Sequence, residues 1–141
     1  RPFCTRVVCA KCGCAYGRKD RPDCSYVFWQ CSTRCMKGIK NCHNDNLKED
    51  DLHKAFITAW NKAVRQKEKL SKRWDETDRT GTELQKFRVN QMRELVAEGE
   101  IKEIIPELVM AVLDCVVVKG GGAMEVRLTE RSMRLNIEKV V

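Results

Sequence analysis

The chain has 141 residues, of which 33% are charged and 43% are hydrophobic, and its formal net charge at pH 7 is +7. This length suffices for one ordinary domain or two small units with a modest shared core, and the composition excludes a disordered tail. No apolar run approaches the roughly 20 residues that span a bilayer, and no signal peptide is visible. A sequence that starts at Arg1 suggests a fragment of a longer protein.

The net charge is concentrated in the N-terminal part of the chain. Residues 1–43 hold nine basic and two acidic side chains, whereas residues 44–141 hold 18 of each sign. The cysteines follow the same division, because eight of the nine lie between Cys4 and Cys42. The chain therefore divides into a basic, cysteine-rich head and an electrically balanced body.

Two roles are open to the cysteines of the head, disulfide bonding and metal binding. Nine cysteines leave one thiol unpaired, and without a secretory signal a disulfide framework is disfavoured. Cys9 and Cys12 are separated by two residues, a gap from which two thiolates reach one tetrahedral zinc ion at about 2.3 Å. Gly13 follows directly and relieves the tight turn of such a zinc knuckle. The spacing predicts zinc.

A zinc site of this kind requires a second pair of ligands. Cys31 with Cys42 is one candidate pair, Cys31 with Cys35 is another, and His43 could substitute as a ligand. Four thiolates would close the coordination shell, so the ion would be structural rather than catalytic. We expect the remaining cysteines of the head to be free thiols, namely Cys4, Cys14, Cys24 and Cys35.

Several motifs accompany the knuckle along the head. Pro2-Phe3 opens the segment, residues 25–30 predict a β-strand that runs into Cys31, and Cys42 precedes an acidic helix that extends to Asn61. Together these motifs resemble the recombinase zinc β-ribbon of the large serine recombinases, the site-specific integrases and transposon resolvases of bacteria and their mobile elements. The resemblance covers residues 1 to about 64. Its register implies one structural Zn²⁺ on Cys9, Cys12, Cys31 and Cys42.

The resemblance also implies a role in DNA recombination and DNA integration. The family cuts and rejoins attachment-site DNA with a catalytic serine domain, to which nothing in this sequence corresponds. No serine of the chain has an obvious base beside it, and Gly120 to Gly122 precede a predicted strand rather than the helix of a phosphate-binding loop. We therefore expect a non-catalytic fragment of a cytoplasmic bacterial recombinase, without a membrane or small-molecule partner.

The charge of the head predicts double-stranded DNA as a partner. Basic side chains alternate there with Tyr16, Phe28 and Trp29, an electrostatic footprint suited to phosphate. The candidate DNA contacts are Lys11, Arg18, Lys19, Arg21, Arg34, Lys37 and Lys40. The alternative is a zinc-stapled protein-interaction module without DNA contact, which would leave the charge of the head unassigned.

The body begins with a predicted helical hairpin. Asn46 and Glu49 are spaced as a capping box, and heptad spacing predicts one helix over 47–74 from Phe56, Trp60, Ala63, Lys67, Leu70 and Trp74. A polar turn over 75–81 separates it from a second helix that ends near Gly99. The apolar face of that helix should consist of Leu84, Phe87, Met92, Leu95 and Val96.

The resembled family carries a coiled-coil hairpin behind its zinc ribbon, where it mediates contact between DNA-bound subunits. The segment over 64–98 occupies the corresponding place, which predicts contacts with other recombinase subunits. An exposed Trp74 would favour such a contact, and a buried Trp74 would not.

The last part of the chain predicts a helix followed by a β-hairpin. The helix should cover 101–113, with Pro106 in its first turn and a dense apolar stripe formed by Ile104, Ile105, Leu108, Val109, Val112 and Leu113. Strands follow over 115–118 and 124–128, joined by a glycine turn, with Cys115 as a small core residue. Residues 133–141 are either a further strand or a frayed tail. The fold class is thus α+β, divided into a zinc ribbon over 1–45, a long helix and helical hairpin over 46–100, and a closing helix and β-hairpin over 101–141.

Overall fold

The computed structural model describes residues 2–128 and 135–137. The first part of the chain forms β1 (Val7–Cys9), β2 (Tyr16–Lys19), β3 (Phe28–Cys31), α1 (Ser32–Lys37) and β4 (Leu47–Lys48). The second part forms α2 (Glu49–Arg65), α3 (Lys67–Thr80), α4 (Glu83–Ala97), α5 (Pro106–Val112), β5 (Leu113–Gly120), β6 (Ala123–Leu128) and β7 (Leu135–Ile137). The predicted α+β class is confirmed. No helix of this described part is both long and apolar enough to cross a membrane.

The strands form two sheets that join the beginning of the chain to its end. The smaller sheet is antiparallel with the order β2-β3-β4, and the larger has the order β1-β5-β6-β7. β1 pairs in parallel with β5, so that Cys9 lies opposite Val118. The strand that carries the first cysteine of the knuckle therefore belongs to the same sheet as the C-terminal hairpin.

One hydrophobic core contains residues of both sheets and of helices α2 to α5. It contains Val7 of β1, Trp60 of α2, Trp74 of α3, Met92 of α4 and Val126 of β6, all of them buried. The three predicted segments share this core, and their boundaries near residues 45 and 100 stay predictions.

The start of α2 differs from the predicted capping box. Leu47 and Lys48 are still extended, because they pair with Trp29 and Phe28 of β3. The helix begins at Glu49 after Lys48, with no side-chain cap. The prediction of an Asn46 cap was wrong because strand pairing, a contact distant in sequence, overrides the local capping signal.

The predicted single helix over 47–74 is interrupted once and is also longer than expected. Gln66 has φ −98° and ψ 16°, and it separates α2 from α3. α3 then continues through the predicted turn to Thr80. The polar residues of that stretch lie on a helix surface, where Asp75 and Asp78 both pair with Arg93 of α4. The predicted turn shrinks to Gly81 and Thr82.

The apolar stripe of α2 and α3 is confirmed except at Lys67, which is exposed. The predicted face of α4 is wrong at Leu84 and Phe87, which are 58% and 66% exposed. The buried positions are Val89, Met92 and Val96, with Leu95 partly buried. At about 100° per residue, Leu84 and Phe87 lie well away from the side of the helix that Val89 occupies.

The third predicted helix is shorter than the apolar stripe suggested. α5 begins at Pro106, and the chain before it is not helical. A proline disfavours helical backbone in the residue before it, and the Asn61 side chain bonds both the N–H and the C=O of Ile101, each at 2.8 Å. Leu113 already belongs to β5.

The predicted β-hairpin is confirmed as β5 and β6, which pair in antiparallel register. β7 pairs with β6, so the further strand considered for residues 133–141 exists at Leu135–Ile137. The rest of that stretch lies outside the described residues.

Candidate metal centre

Four cysteine side chains converge where the two sheets meet. Cys9 ends β1, Cys12 lies in the turn after it, Cys31 ends β3, and Cys42 lies in the loop before β4. Their Sγ atoms all lie within 4.8 Å of one another. The Sγ–Sγ distance is 3.7 Å between Cys9 and Cys42, and 3.3 Å between Cys12 and Cys31.

These distances fit a tetrahedral metal site. Four sulfurs bound at about 2.3 Å around one ion would lie about 3.8 Å apart, close to the separations that the thiols have here. The cluster could therefore hold a metal ion. Because sulfur would fill all four positions, such an ion would have no open position for water or substrate.

The turn between the first two cysteines is shaped by its backbone. Gly13 has φ 78°, a left-handed conformation that glycine adopts without steric cost, and its N–H donates to Cys9 O at 2.8 Å. The Lys11 N–H donates to Cys9 Sγ at 3.3 Å. This turn aims both sulfurs at the same point, as the spacing of the knuckle predicted.

The surroundings of the thiols shift their pKa values in different directions. The Thr33 hydroxyl, 3.4 Å from Cys12 Sγ, and the backbone N–H of Cys14 together lower the pKa of Cys12 to about 6. Burial alone would raise the pKa of Cys9, but hydrogen bonds outweigh it, that of the Asn44 side chain first, and lower the pKa. Burial raises the pKa of Cys31. Because metal ligands must be deprotonated, the lowered pKa values of Cys9 and Cys12 favour metal binding.

The other candidate ligands lie outside this cluster. Cys35 is exposed on α1, and His43 is exposed beside Cys42. Cys4 and Cys14 are exposed as well, whereas Cys24 and Cys115 are half-buried, and all nine thiols are free. Burial raises the pKa of Cys115, as expected of a small residue packed among valines.

Asn44 belongs to the site and was missed by the sequence analysis. Its side chain is fully buried, and Nδ2 donates to Cys9 Sγ at 3.2 Å and to Val118 O at 2.9 Å. Its position two residues after Cys42 was the available signal, but sequence alone does not show that Val118 lies beside Cys9.

The structure places the seven basic candidates in different surroundings. Lys11, Arg21, Lys37 and Lys40 are exposed, and Lys19 is half-buried. Arg18 Nε donates to Glu49 Oε1 at 2.8 Å, an ion pair that lowers the pKa of Glu49. Arg34 Nη1 donates to Asn44 O at 3.0 Å. Arg18 and Arg34 therefore have structural partners within the chain.

A second pair of cations lies against aromatic rings near the β2–β3 connection. Lys48 Nζ lies 4.9 Å from the centroid of Tyr26, and the Arg21 guanidinium lies 5.8 Å from that of Phe28. Tyr26 is 51% exposed. Lys48 was not among the predicted contacts, because only the β3–β4 pairing brings it to this surface.

A short sheet that meets a second sheet at a four-cysteine cluster has the form of a ribbon that could hold a metal ion. Residues 2–61 match the family model described as the recombinase zinc beta ribbon domain. This segment is thus similar to the recombinase zinc beta ribbon, and the resemblance drawn from the motifs is confirmed over these residues. The domain is a non-catalytic part of recombinases, so the chain is associated with recombination. In the same comparisons, no curated protein and no solved structure matches the chain.

Proposed function

We propose that this chain is the DNA-binding part of a site-specific serine recombinase of the integrase or transposon-resolvase type. The observation that carries the proposal is the convergence of four thiols within a segment that matches the recombinase zinc beta ribbon. Cutting and rejoining of attachment-site DNA belongs to a serine domain elsewhere in a bacterial, cytoplasmic parent protein.

The metal in this proposal is one structural Zn²⁺ on Cys9, Cys12, Cys31 and Cys42. Thiolate ligands in tetrahedral arrangement select zinc over hard cations such as magnesium or calcium. The burial of Cys9, Cys31 and Cys42 supports a structural ion, because a buried ion has no access to substrate.

The proposed DNA surface is the exposed part of the basic head. Lys37 is the last residue of α1, and Lys40 lies in the loop that follows it. Arg21 lies against the ring of Phe28 near the β2–β3 connection. Arg18 of the head forms an ion pair with Glu49 of the body, whereas Arg21, Lys37 and Lys40 are exposed. We expect Lys11 and Lys19 to add to this surface, and Arg18 and Arg34 to contribute less because of their internal partners.

Titration with duplex DNA at low and at high salt tests this surface. We expect the affinity to fall with salt, with a slope of about 0.9 for each neutralised phosphate in a plot of log affinity against log salt. Lys37→Ala with Lys40→Ala should lower that slope by up to about 2. Lys62→Ala, an exposed lysine of the body, is the matched control and should leave it unchanged.

The rival function is a zinc-stapled protein-interaction module without DNA contact. Binding of zinc together with no DNA binding at low salt would favour this rival. A salt slope that does not respond to Lys37 and Lys40 would move the DNA surface elsewhere on the molecule.

We also propose that the α3–α4 hairpin contacts other recombinase subunits. Trp74 is only 2% exposed, so it does not support this contact. Leu84 and Phe87, at the turn end of the hairpin, are exposed instead and form a small apolar patch on α4. Sedimentation of the wild type and of Leu84→Lys with Phe87→Lys tests the contact, since charges at these positions should reduce self-association. An unchanged sedimentation profile for a self-associating wild type would exclude this patch as the contact.

A further inference from the structure

Asn44 is the one polar residue that is buried in the part of the chain the structure describes. A buried polar side chain is costly unless it is hydrogen-bonded. Nδ2 donates to Cys9 Sγ at 3.2 Å and to Val118 O at 2.9 Å, and Oδ1 accepts from the Asp45 N–H at 2.9 Å. The amide thus connects a cysteine of the metal centre directly to β5.

We propose that Asn44 is a positioning residue of the metal centre, which orients Cys9 and fastens the cluster to the β5–β6 hairpin, so that metal binding orders that hairpin. The inference rests on the proposed metal centre. It concerns a connection between residues 74 positions apart in sequence.

Asp45 extends the same connection to the β5–β6 turn. Its Oδ2 accepts from the Gly121 N–H at 2.7 Å. Val118 O also accepts from the Ala10 N–H at 3.0 Å, so the knuckle and Asn44 share one acceptor on β5. Asn44 and Asp45, which follow Cys42 in the same loop, therefore hold the end of β5 and the first residue of the β5–β6 turn.

The fit around the amide leaves little free space. A Cβ atom added to Gly120 would lie 3.0 Å from Asn44 Oδ1, which is tighter than ordinary van der Waals contact. Gly120 also has φ 92°, a left-handed backbone conformation that favours glycine. The absence of a Cβ atom there leaves room for the Asn44 side chain. This close approach fixes the position of Asn44 relative to the hairpin.

The metal would control this connection through the loop that carries Cys42. Cys42 and Asn44 belong to one loop between α1 and β4. A metal bound by Cys42 anchors that loop, whereas free thiols hold it only weakly. Outer residues that hydrogen-bond metal ligands typically contribute 10- to 100-fold to metal affinity.

The first test is a Co²⁺ titration followed by Zn²⁺ competition, monitored by the thiolate-to-cobalt absorption of the site. Asn44→Ala should bind Co²⁺ about 10- to 100-fold more weakly than the wild type. Asn44→Asp keeps the size of the side chain but loses the donor to Cys9, and it should weaken binding at least as much. Asn41→Ala is the matched control, because Asn41 lies in the same loop and is exposed, and it should bind like the wild type.

The second test is amide hydrogen exchange with and without Zn²⁺. Removal of the metal should increase exchange of the Gly121 amide and of β5–β6 more than exchange of α4. Asp45→Ala should speed exchange of the Gly121 amide by about tenfold or more. The Co²⁺ affinity of this variant should stay within about twofold of the wild type, because the Asp45 side chain contacts the hairpin and not Cys9. This variant keeps the second test decisive if the Asn44 variants do not fold.

The outcomes separate the inference from the proposed function. A wild type that binds neither Co²⁺ nor Zn²⁺ overturns the metal centre itself. A metal-binding wild type with Asn44 variants of equal affinity and spectrum overturns the positioning role alone. Equal loss of protection in α4 and in β5–β6 on metal removal overturns the specific connection to the hairpin.

Discussion

The candidate metal centre and the α3–α4 hairpin are two regions that are each stabilised by a different kind of contact. Around the cysteines, sulfur atoms and a buried amide converge, and the contacts tie together segments distant in sequence. In the hairpin, Leu70 and Trp74 of α3 pack with Val89 and Met92 of α4 in the core. A metal ion would complete the contacts of the first region, whereas the second is held mainly by apolar burial.

Charge contributes differently in the two regions as well. The hairpin carries its ion pairs on the surface, where Arg93 Nη2 lies 2.8 Å from Asp75 and 3.2 Å from Asp78. Exposed pairs of this kind contribute about 0–1 kcal/mol. In the head, four of the eight described basic residues are exposed, namely Lys11, Arg21, Lys37 and Lys40. Substitutions in the two regions should thus separate metal binding from folding of the hairpin.

The largest effect is expected at the fourth cysteine. Cys42→Ser removes one thiolate and should release the metal and unfold the head, since structural zinc contributes on the order of 10–16 kcal/mol in small metal domains. Zinc content per chain and circular dichroism measure this. Cys35→Ser is the control and should retain the metal, because Cys35 is exposed and outside the cluster. Full zinc content in Cys42→Ser would contradict the ligand assignment.

The hairpin should respond to a core truncation without losing metal. Trp74→Ala should lower the free energy of unfolding by about 3–5 kcal/mol, because it leaves a large cavity. Phe87→Ala, on the exposed side of α4, should change it by less than about 0.5 kcal/mol. Urea denaturation with zinc analysis checks both, and loss of zinc in Trp74→Ala would mean that the two regions are not separable.

Two glycines of the β5–β6 turn offer a matched pair. Gly120 and Gly122 have φ 92° and 82°, so alanine costs about 1 kcal/mol at either position from backbone strain. A Cβ atom added at Gly120 would lie 3.0 Å from Asn44 Oδ1, whereas one added at Gly122 would have no atom within 4 Å. Gly120→Ala should therefore be less stable than Gly122→Ala by about 1 kcal/mol or more, measured by thermal unfolding. Equal stabilities would contradict the close approach of Asn44.

The smallest effect is expected at the ion pair between head and body. Arg18 lowers the pKa of Glu49 in the folded protein, so this pair stabilises the fold above the unfolded pKa of the carboxyl group. That stabilisation is lost as the pH falls through the folded pKa. Glu49→Gln should lower the free energy of unfolding by up to about 1 kcal/mol at pH 7. The difference from wild type should shrink in acid, and a difference that grows there would contradict the sign of the pKa shift.

Much of the fold could be predicted because its signals are local. The β-hairpin follows from β-branched residues on either side of a glycine turn, and the stripe from Phe56 to Trp74 follows from helical periodicity. The errors occur where distant contacts decide. Leu47 and Lys48 are extended because they pair with β3, and Ile101 is held outside a helix by Asn61.

The residues of the candidate site also divide into those that local spacing predicted and those that depend on contacts distant in sequence. Spacing predicted Cys9 and Cys12 as a pair, since their geometry is set by one short turn. Spacing left Cys35 and Cys42 open as partners of Cys31, and the resemblance to the recombinase ribbon implied Cys42, the cysteine that lies in the cluster. Asn44 could not be predicted from spacing, because its role depends on the parallel pairing of β1 with β5.

The sequence by itself determined that the net charge of +7 belongs to the head, that Cys9 and Cys12 form a closely spaced pair there, and that a helical hairpin and a β-hairpin follow. These properties depend on residue type and on spacing over a few residues. Only the tertiary structure decided which basic residues are held by internal partners, which face of α4 is buried, and that the metal centre meets the C-terminal sheet through Asn44. These contacts join residues as far apart as Cys9 and Val118, and a hydrogen bond or a packed side chain depends on distance in space rather than along the chain.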